Sequence, residues 1–171
     1  MNAMNDEFVT SRVFDAPREL VFDVWTKQEH LTKWFAPKGF DILSGTLDLR
    51  VGGIYHYGLR SPEGQEMWGK WIFQEIKRPE KLVVIVSFSD RDRGITVHPG
   101  NPHWPRQILS TTTFEAQGRR TLLTLRWKPY EATELERRTF IEGKASMQQG
   151  WGGTLELLEA YLTGPAKERA S

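Results

Sequence analysis

The sequence predicts an α+β fold in which one antiparallel sheet, apolar on a single face, is covered by a long C-terminal helix. Three observations carry this. Between Phe40 and Tyr130 apolar residues recur with a period of two, the spacing of strands. From Thr133 to Leu162, residues Phe140, Met147, Trp151, Leu155, Leu158 and Leu162 keep helical spacing and form one apolar stripe. A sheet with one apolar face needs a cover, and the last helix is the only element long enough to supply it, at about 45 Å for about thirty residues.

In chain order, Phe8 to Phe14 reads as a first strand, ended by Asp15-Ala16-Pro17. Pro17 suits the first turn of a helix, where its missing N–H costs nothing. That helix runs through Leu20, Val21, Val24 and Trp25. A second short helix carries Leu31, Trp34 and Phe35 and is closed by Pro37-Lys38-Gly39. Six strands follow near 41–49, 53–60, 66–76, 82–89, 107–116 and 120–128. Gly52-Gly53, Ser61 to Gly64, Arg78-Pro79 and Gln117-Gly118 supply turns. Alternation puts Tyr55, Tyr57 and Leu59 on one face, and likewise Met67, Gly69, Trp71 and Phe73, then Leu82, Val84, Val86 and Phe88, then Leu123, Leu125 and Trp127. The exception to short turns is Ser89 to Arg106. A loop longer than roughly 12–15 residues is usually functional or disordered.

The last helix opens with Thr133 and Glu136 in the form of a capping box and stops at Gly164-Pro165. Gly150, Gly152 and Gly153 lie inside it, each costing roughly 1 kcal/mol against alanine. The expectation is that the cluster splits the helix into two halves, or that Gly150 and Gly153 let a strand or side chain approach closely. Leu155, Leu158 and Leu162 would then be core, while Phe140, Met147 and Trp151 would face a cavity. Residues 1–171 read as one domain with a core from about 8 to 163, and with mobile tails at 1–7 and 165–171.

Composition narrows the function. Hydrophobic residues make up 39% and charged residues 26% of the 171, and the formal charge is +1, so no long-range field draws a polyanion and no nucleic-acid partner is expected. There are no cysteines, which removes disulfides, thiolate metal sites and cysteine nucleophiles. No run approaches the roughly 20 apolar residues of a membrane span, and Met1 to Glu7 does not form a leader, so a cytoplasmic location is expected. The four histidines, at 30, 56, 98 and 103, show no metal-ligand spacing, and no phosphate-cradling loop or serine elbow occurs. The expectation is no metal, no cofactor and no catalytic residue beyond one candidate, His103. It sits with His98 beside Trp104 in the long loop, where an imidazole near neutrality can move a proton. A solvated loop position is the favoured reading for both, by about three to one over catalysis. His56 falls on the polar face of its strand and is expected to meet solvent, and the Asp90 to Arg93 charge run reads as a solvated turn.

The aromatic set is the stronger signal. Trp34, Tyr55, Tyr57, Met67, Trp71, Phe73, Phe88, Trp104, Phe140, Met147 and Trp151 are the candidate ligand-binding residues. Core packing accounts for many such rings. A buried tyrosine hydroxyl, however, needs a partner or a wet cavity, and two tyrosines on one inward face favour a partly polar pocket.

Several local motifs carry a resemblance. They are Arg12-Val13-Phe14-Asp15-Ala16-Pro17, Leu31-x-x-Trp34-Phe35-x-Pro37, Arg50-Val51-Gly52-Gly53 and Glu75-Ile76-x-x-Pro79-Glu80-Lys81-Leu82. Phe88-Ser89-Asp90, Trp104-Pro105 and Gly150-Trp151-Gly152-Gly153-Thr154-Leu155 follow. In this order they resemble the START-like helix-grip superfamily (SRPBCC), in the branch of the Hsp90 ATPase activator C-terminal domain, over about residues 8 to 163. The resemblance implies a curved antiparallel sheet wrapped around the C-terminal helix, with two short helices after the first strand. The superfamily includes lipid and hormone binders, polyketide cyclases, a self-sacrificing antibiotic-resistance protein and co-chaperone domains. The expected function is binding of a small, largely apolar molecule (aromatic, polyketide-like or acyl) between sheet and helix, with the Ser89–Arg106 loop controlling access. Two alternatives stand beside it. One is a cofactor-independent cyclase or hydratase using His103 or a tyrosine. The other is an Hsp90-linked co-chaperone or interaction module, marked by an exposed apolar patch on the outer sheet face.

Overall fold

The computed structural model describes residues 5–36, 39–98 and 100–164. In chain order it holds β1 (Phe8–Phe14), α1 (Arg18–Thr26), α2 (Gln28–Trp34), β2 (Asp41–Leu47), β3 (Ile54–Arg60), β4 (Glu66–Lys77) and β5 (Lys81–Ser89). Then come β6 (Ile95–Thr96), β7 (Ile108–Gln117), β8 (Arg120–Pro129), α3 (Glu134–Glu142) and α4 (Lys144–Thr163). The strands form one curved antiparallel sheet in the order β1-β8-β7-β5-β4-β3-β2, with β6 attached to β5. This is the helix-grip arrangement expected from the sequence. The expected turn at Pro37-Lys38 and the expected tails at 1–4 and 165–171 lie outside the described residues, as do Pro99 and the helix stop at Pro165.

Alternation sets the faces as read. Tyr55, Trp71, Val86 and Ile108 stand in one row across four strands, by pairing of Tyr55 with Trp71, Trp71 with Val86 and Val86 with Ile108. The first strand pairs with the last, Phe8 opposite Trp127 and Phe14 opposite Thr121. Helix α1 covers the inner face at that side, where Phe22 meets Phe114 edge-on at 5.1 Å between ring centroids. Helix α2 is tied to β2 by the Leu47 N–H donating to the Gln28 side-chain Oε1 at 3.0 Å. It is tied to α4 by a 2.7 Å hydrogen bond between His30 Nδ1 and the Tyr161 hydroxyl.

The C-terminal helical segment differs from expectation. Its capping box is formed: the Glu136 N–H donates to Thr133 Oγ1 at 3.1 Å and the Thr133 N–H to Glu136 Oε1 at 2.9 Å. The break, however, falls at Gly143, between α3 and α4, and not at the glycine cluster. A Cβ added at Gly143 would lie 2.9 Å from the Trp104 ring, so that ring claims the space a side chain would need. Helix α4 runs unbroken through Gly150, Gly152 and Gly153, where an added Cβ would meet nothing within 4 Å. Close approach is therefore not the reason for these glycines. The helix tolerates them because Leu155, Leu158, Tyr161 and Leu162 are buried against the sheet, and tertiary packing outweighs propensity.

His56 is also placed differently: it is buried, because the Asp90–Gly94 turn lies over the outer face of the sheet. His56 Nε2 bonds the Asp90 carbonyl oxygen at 2.9 Å, and the imidazole stacks on Trp68 at 5.2 Å. Lys70, buried beside it, donates from Nζ to the Arg93 carbonyl oxygen at 2.7 Å. The turn that its charge run read as solvated is thus a lid on polar side chains, each given a partner as burial demands. Its own charges remain outside, Arg91 paired with Glu66. Among the described residues, no helix is long and apolar enough to cross a membrane.

Replacing the exposed Gly153 with alanine should raise unfolding free energy by about 1 kcal/mol, the helix-propensity increment in open space. Urea denaturation measures it, and a loss of stability would contradict an unbroken α4.

A cavity between the sheet and the N-terminal half of α4

Along α4 and its N-cap the residues Gly143, Ser146, Met147, Gly150, Trp151 and Thr154 fall one, three and four apart and face the sheet as one stripe. Four of the six are small. Opposite them on β4 stands Gly69, paired with Tyr57 on β3 and Phe88 on β5. Small residues on both sides leave a cavity of about 680 Å³. Leu59, Met67, Val86, Ile108 and Trp127 complete its sheet wall, with Phe35 at one end. His98, Asn101, Trp104 and Pro105 form the loop side, and Thr139 and Glu142 the α3 side.

Trp151 bounds the cavity. Its ring lies parallel to Trp25, 6.1 Å away and 12° inclined, and meets Trp127 edge-on at 5.4 Å. It packs against both buried clusters: the large one around Phe73, Leu123 and Leu158, and the small one of Phe8, Ile108, Phe140 and Met147. Beyond it toward the C-terminus the interior is filled. Trp104 closes the loop side, resting on Phe140 at 5.5 Å and near the His98 ring at 6.1 Å.

Tyr57 and His98 stand in this wall, beside Asn101, Thr139, Glu142, Ser146 and Thr154. Tyr57 lies with its ring over Gly69, where an added Cβ would overlap the phenol oxygen. Burial raises its hydroxyl to about 12, the Trp71 indole N–H against the oxygen working the other way, so it keeps its proton at neutral pH. His98 Nδ1 accepts the Gly100 N–H at 2.8 Å, and its ring meets Phe88 edge-on at 4.9 Å.

Of the eleven expected ligand-binding residues, Tyr57, Met67, Phe88, Trp104, Met147 and Trp151 line the cavity. Trp34, Tyr55, Trp71, Phe73 and Phe140 instead lie in packed core. Trp34 spends its indole N–H on the Val24 carbonyl at 2.8 Å, and Tyr55 stacks on Tyr57 at 5.0 Å. Burial, with Tyr57 beside it, drives the Tyr55 hydroxyl far above the usual phenol range. His103, the expected acid–base candidate, is exposed and outside the lining, its backbone N–H bonded to Asn101 Oδ1 at 3.0 Å. The imidazole in the wall is that of His98. Sequence reasoning named both loop histidines but chose His103, because an irregular loop has no period from which direction can be read. It also missed Ser146, Gly150 and Thr154, although their spacing from Met147 and Trp151 was a readable signal. Among the described residues, no group of three or more histidines, carboxylates or cysteines is placed to hold a metal ion.

No curated protein matches the sequence. A family profile described as "Activator of Hsp90 ATPase homolog 1-like protein" matches residues 15–163. Similar solved structures include a protein of Nitrosomonas europaea, 22% identical, covering 99% of this chain and 100% of that one, with a TM-score of 0.75. One from Arthrobacter aurescens is 24% identical, covering 94% and 87%, with a TM-score of 0.75. One from Mycobacterium smegmatis is 20% identical, covering 92% and 91%, with a TM-score of 0.74. At these identities the likeness establishes a shared fold.

Gly69→Ala should unseat the Tyr57 ring and destabilise the protein by about 1–3 kcal/mol, the range for overpacking a tight site. Thermal unfolding reads this, and an unchanged melting temperature would show that the ring has room to move.

Proposed function

Because the chain belongs to the Activator of Hsp90 ATPase homolog 1-like family, matched over residues 15–163, we propose that it acts as a helix-grip binding domain. Its ligand is a small, largely apolar molecule, aromatic, polyketide-like or acyl, held between sheet and α4. The observation that carries this reading is the cavity of about 680 Å³, faced by glycines on α4 and β4 and walled by aromatic rings. That volume lies within the roughly 300–1,000 Å³ of ligand pockets. Tyr57, Met67, Phe88, Trp104, Met147 and Trp151 supply contact area, and the Tyr57 hydroxyl orients the ligand. The Ser89–Arg106 loop governs entry, with Trp104 as its wall over the cavity. Binding of this kind needs no cofactor.

The acid–base reading, a cyclase or hydratase acting on a polyketide-like molecule, passes from His103 to His98, the imidazole that lines the cavity. An Hsp90-linked role rests on the family's name. Adding the protein to an Hsp90 ATPase assay tests it, and an unstimulated rate removes it.

The binding reading is tested with N-phenyl-1-naphthylamine, an apolar dye that fluoresces on leaving water. The wild-type protein should bind it, and Gly150→Phe, which fills open space on α4, should weaken binding at least about tenfold, the equivalent of about 1.4 kcal/mol, without lowering the melting temperature. Equal binding by both proteins would remove the cavity from the account. Native mass spectrometry of gently purified protein should then show a retained small molecule.

A further inference from the structure

We infer that Tyr57 and His98 form a two-donor polar anchor in the cavity wall, so that the ligand is an apolar molecule bearing a hydrogen-bond acceptor such as a ketone, ester or carboxylate oxygen. This rests on the cavity-binding reading and narrows its ligand class.

The protonation pattern follows from the neighbours of each group. The Tyr57 hydroxyl stands over Gly69 and donates to no acceptor among the described residues, so its O–H proton is available to a ligand. For His98, the Gly100 N–H donates to Nδ1, which therefore carries no proton in this arrangement. The ring proton of the neutral imidazole sits on Nε2. Among the described residues Nε2 finds no hydrogen-bond partner, yet no enclosed side-chain polar atom is left unsatisfied, so Nε2 borders open space. Both groups thus present an unused donor.

Strand register brings the two to one place. Tyr57 pairs with Gly69, Gly69 with Phe88, and Phe88 with Thr96, in a single transverse row. The Tyr57 hydroxyl leans over Gly69 on one flank of Phe88, about one strand spacing of 4.8 Å away. His98 follows Thr96 by two residues on the other flank, with its ring 4.9 Å from that of Phe88. A ligand above Phe88 meets one donor on each flank, while Met67, Val86, Met147 and Trp151 offer apolar contact and Glu142 and Ser146 line the helical side.

The test uses N-phenyl-1-naphthylamine displacement by two compounds of like shape, 2-acetylnaphthalene with a ketone oxygen and 2-isopropylnaphthalene without one. Wild type should prefer the ketone by about tenfold, as expected for one or two net hydrogen bonds. Tyr57→Phe and His98→Phe should each reduce that preference several-fold and leave the hydrocarbon's affinity unchanged. His98→Gln, which restores an N–H near the Nε2 position, should recover part of it. Equal wild-type affinity for the two compounds, or a ketone preference that survives both phenylalanine variants, overturns the anchor while leaving the cavity intact. Failure of the wild-type protein to bind the dye or either compound overturns the cavity-binding reading, and the anchor with it.

Discussion

The hollow half of this protein depends on where one tryptophan is held. Trp151 stands between Trp25 of α1 and Trp127 of β8, stacked on the first and edge-on to the second. Aromatic pairs of this kind contribute about 0.5–1.5 kcal/mol each beyond the area they bury. Their greater consequence is geometric. The three rings come from three elements far apart in sequence, and together they fix the depth to which side chains fill the space under the sheet. On one side Leu155, Leu158 and Leu162 close the interior. On the other, Ser146 and Gly150 leave it open. An unbroken α4 is required for this, because a kink at the glycines would turn the two halves of the stripe away from a common sheet.

The long connection after β5 serves both faces of the sheet. Strand β5 pairs with β7 up to Val86, opposite Ile108, and from Phe88 onward with β6. The chain between these strands therefore wraps around an edge where the sheet changes partner. Its first part, Asp90 to Gly94, lies on the outer face and is held by His56 and Lys70 through backbone carbonyls. Its second part, from His98, lies at the cavity, where Trp104 rests on Phe140 beside Gly143. A loop held at both ends keeps Trp104 in place between sheet and helix. The buried polar groups on the outer face are then understood as fastenings, each satisfied by a backbone carbonyl.

The candidate site was legible in part, and the boundary of legibility is physical. Alternation showed that Tyr55 and Tyr57 share the inward face, and both do. It could not show that Tyr55 sits beneath packed rings while Tyr57 borders open space, since both positions have the same parity. The glycines were noticed for their propensity cost, and close approach was the expected explanation. The tertiary structure shows the reverse: at Gly150 nothing comes near, and the missing side chain is itself part of the cavity. The glycine that does admit a neighbour is Gly143, against Trp104, and Gly69 does the same for Tyr57.

By itself, the sequence determined the long strands and helices and their order, the capping box at Thr133, the inward face of each strand and the cover of the sheet by the last helix, but not the short β6 within the Ser89–Arg106 segment read as a loop. These are local properties, written in periods of 2 and 3.6 and in turn and cap residues a few positions apart. The tertiary structure alone decided the break at Gly143, the burial of His56, the choice of His98 over His103 for the cavity wall, and the division between filled and hollow interior. Each of these depends on which side chain from a distant element occupies a given volume. That is settled by packing across the sheet and helix, where residues up to a hundred or more positions apart compete for the same space.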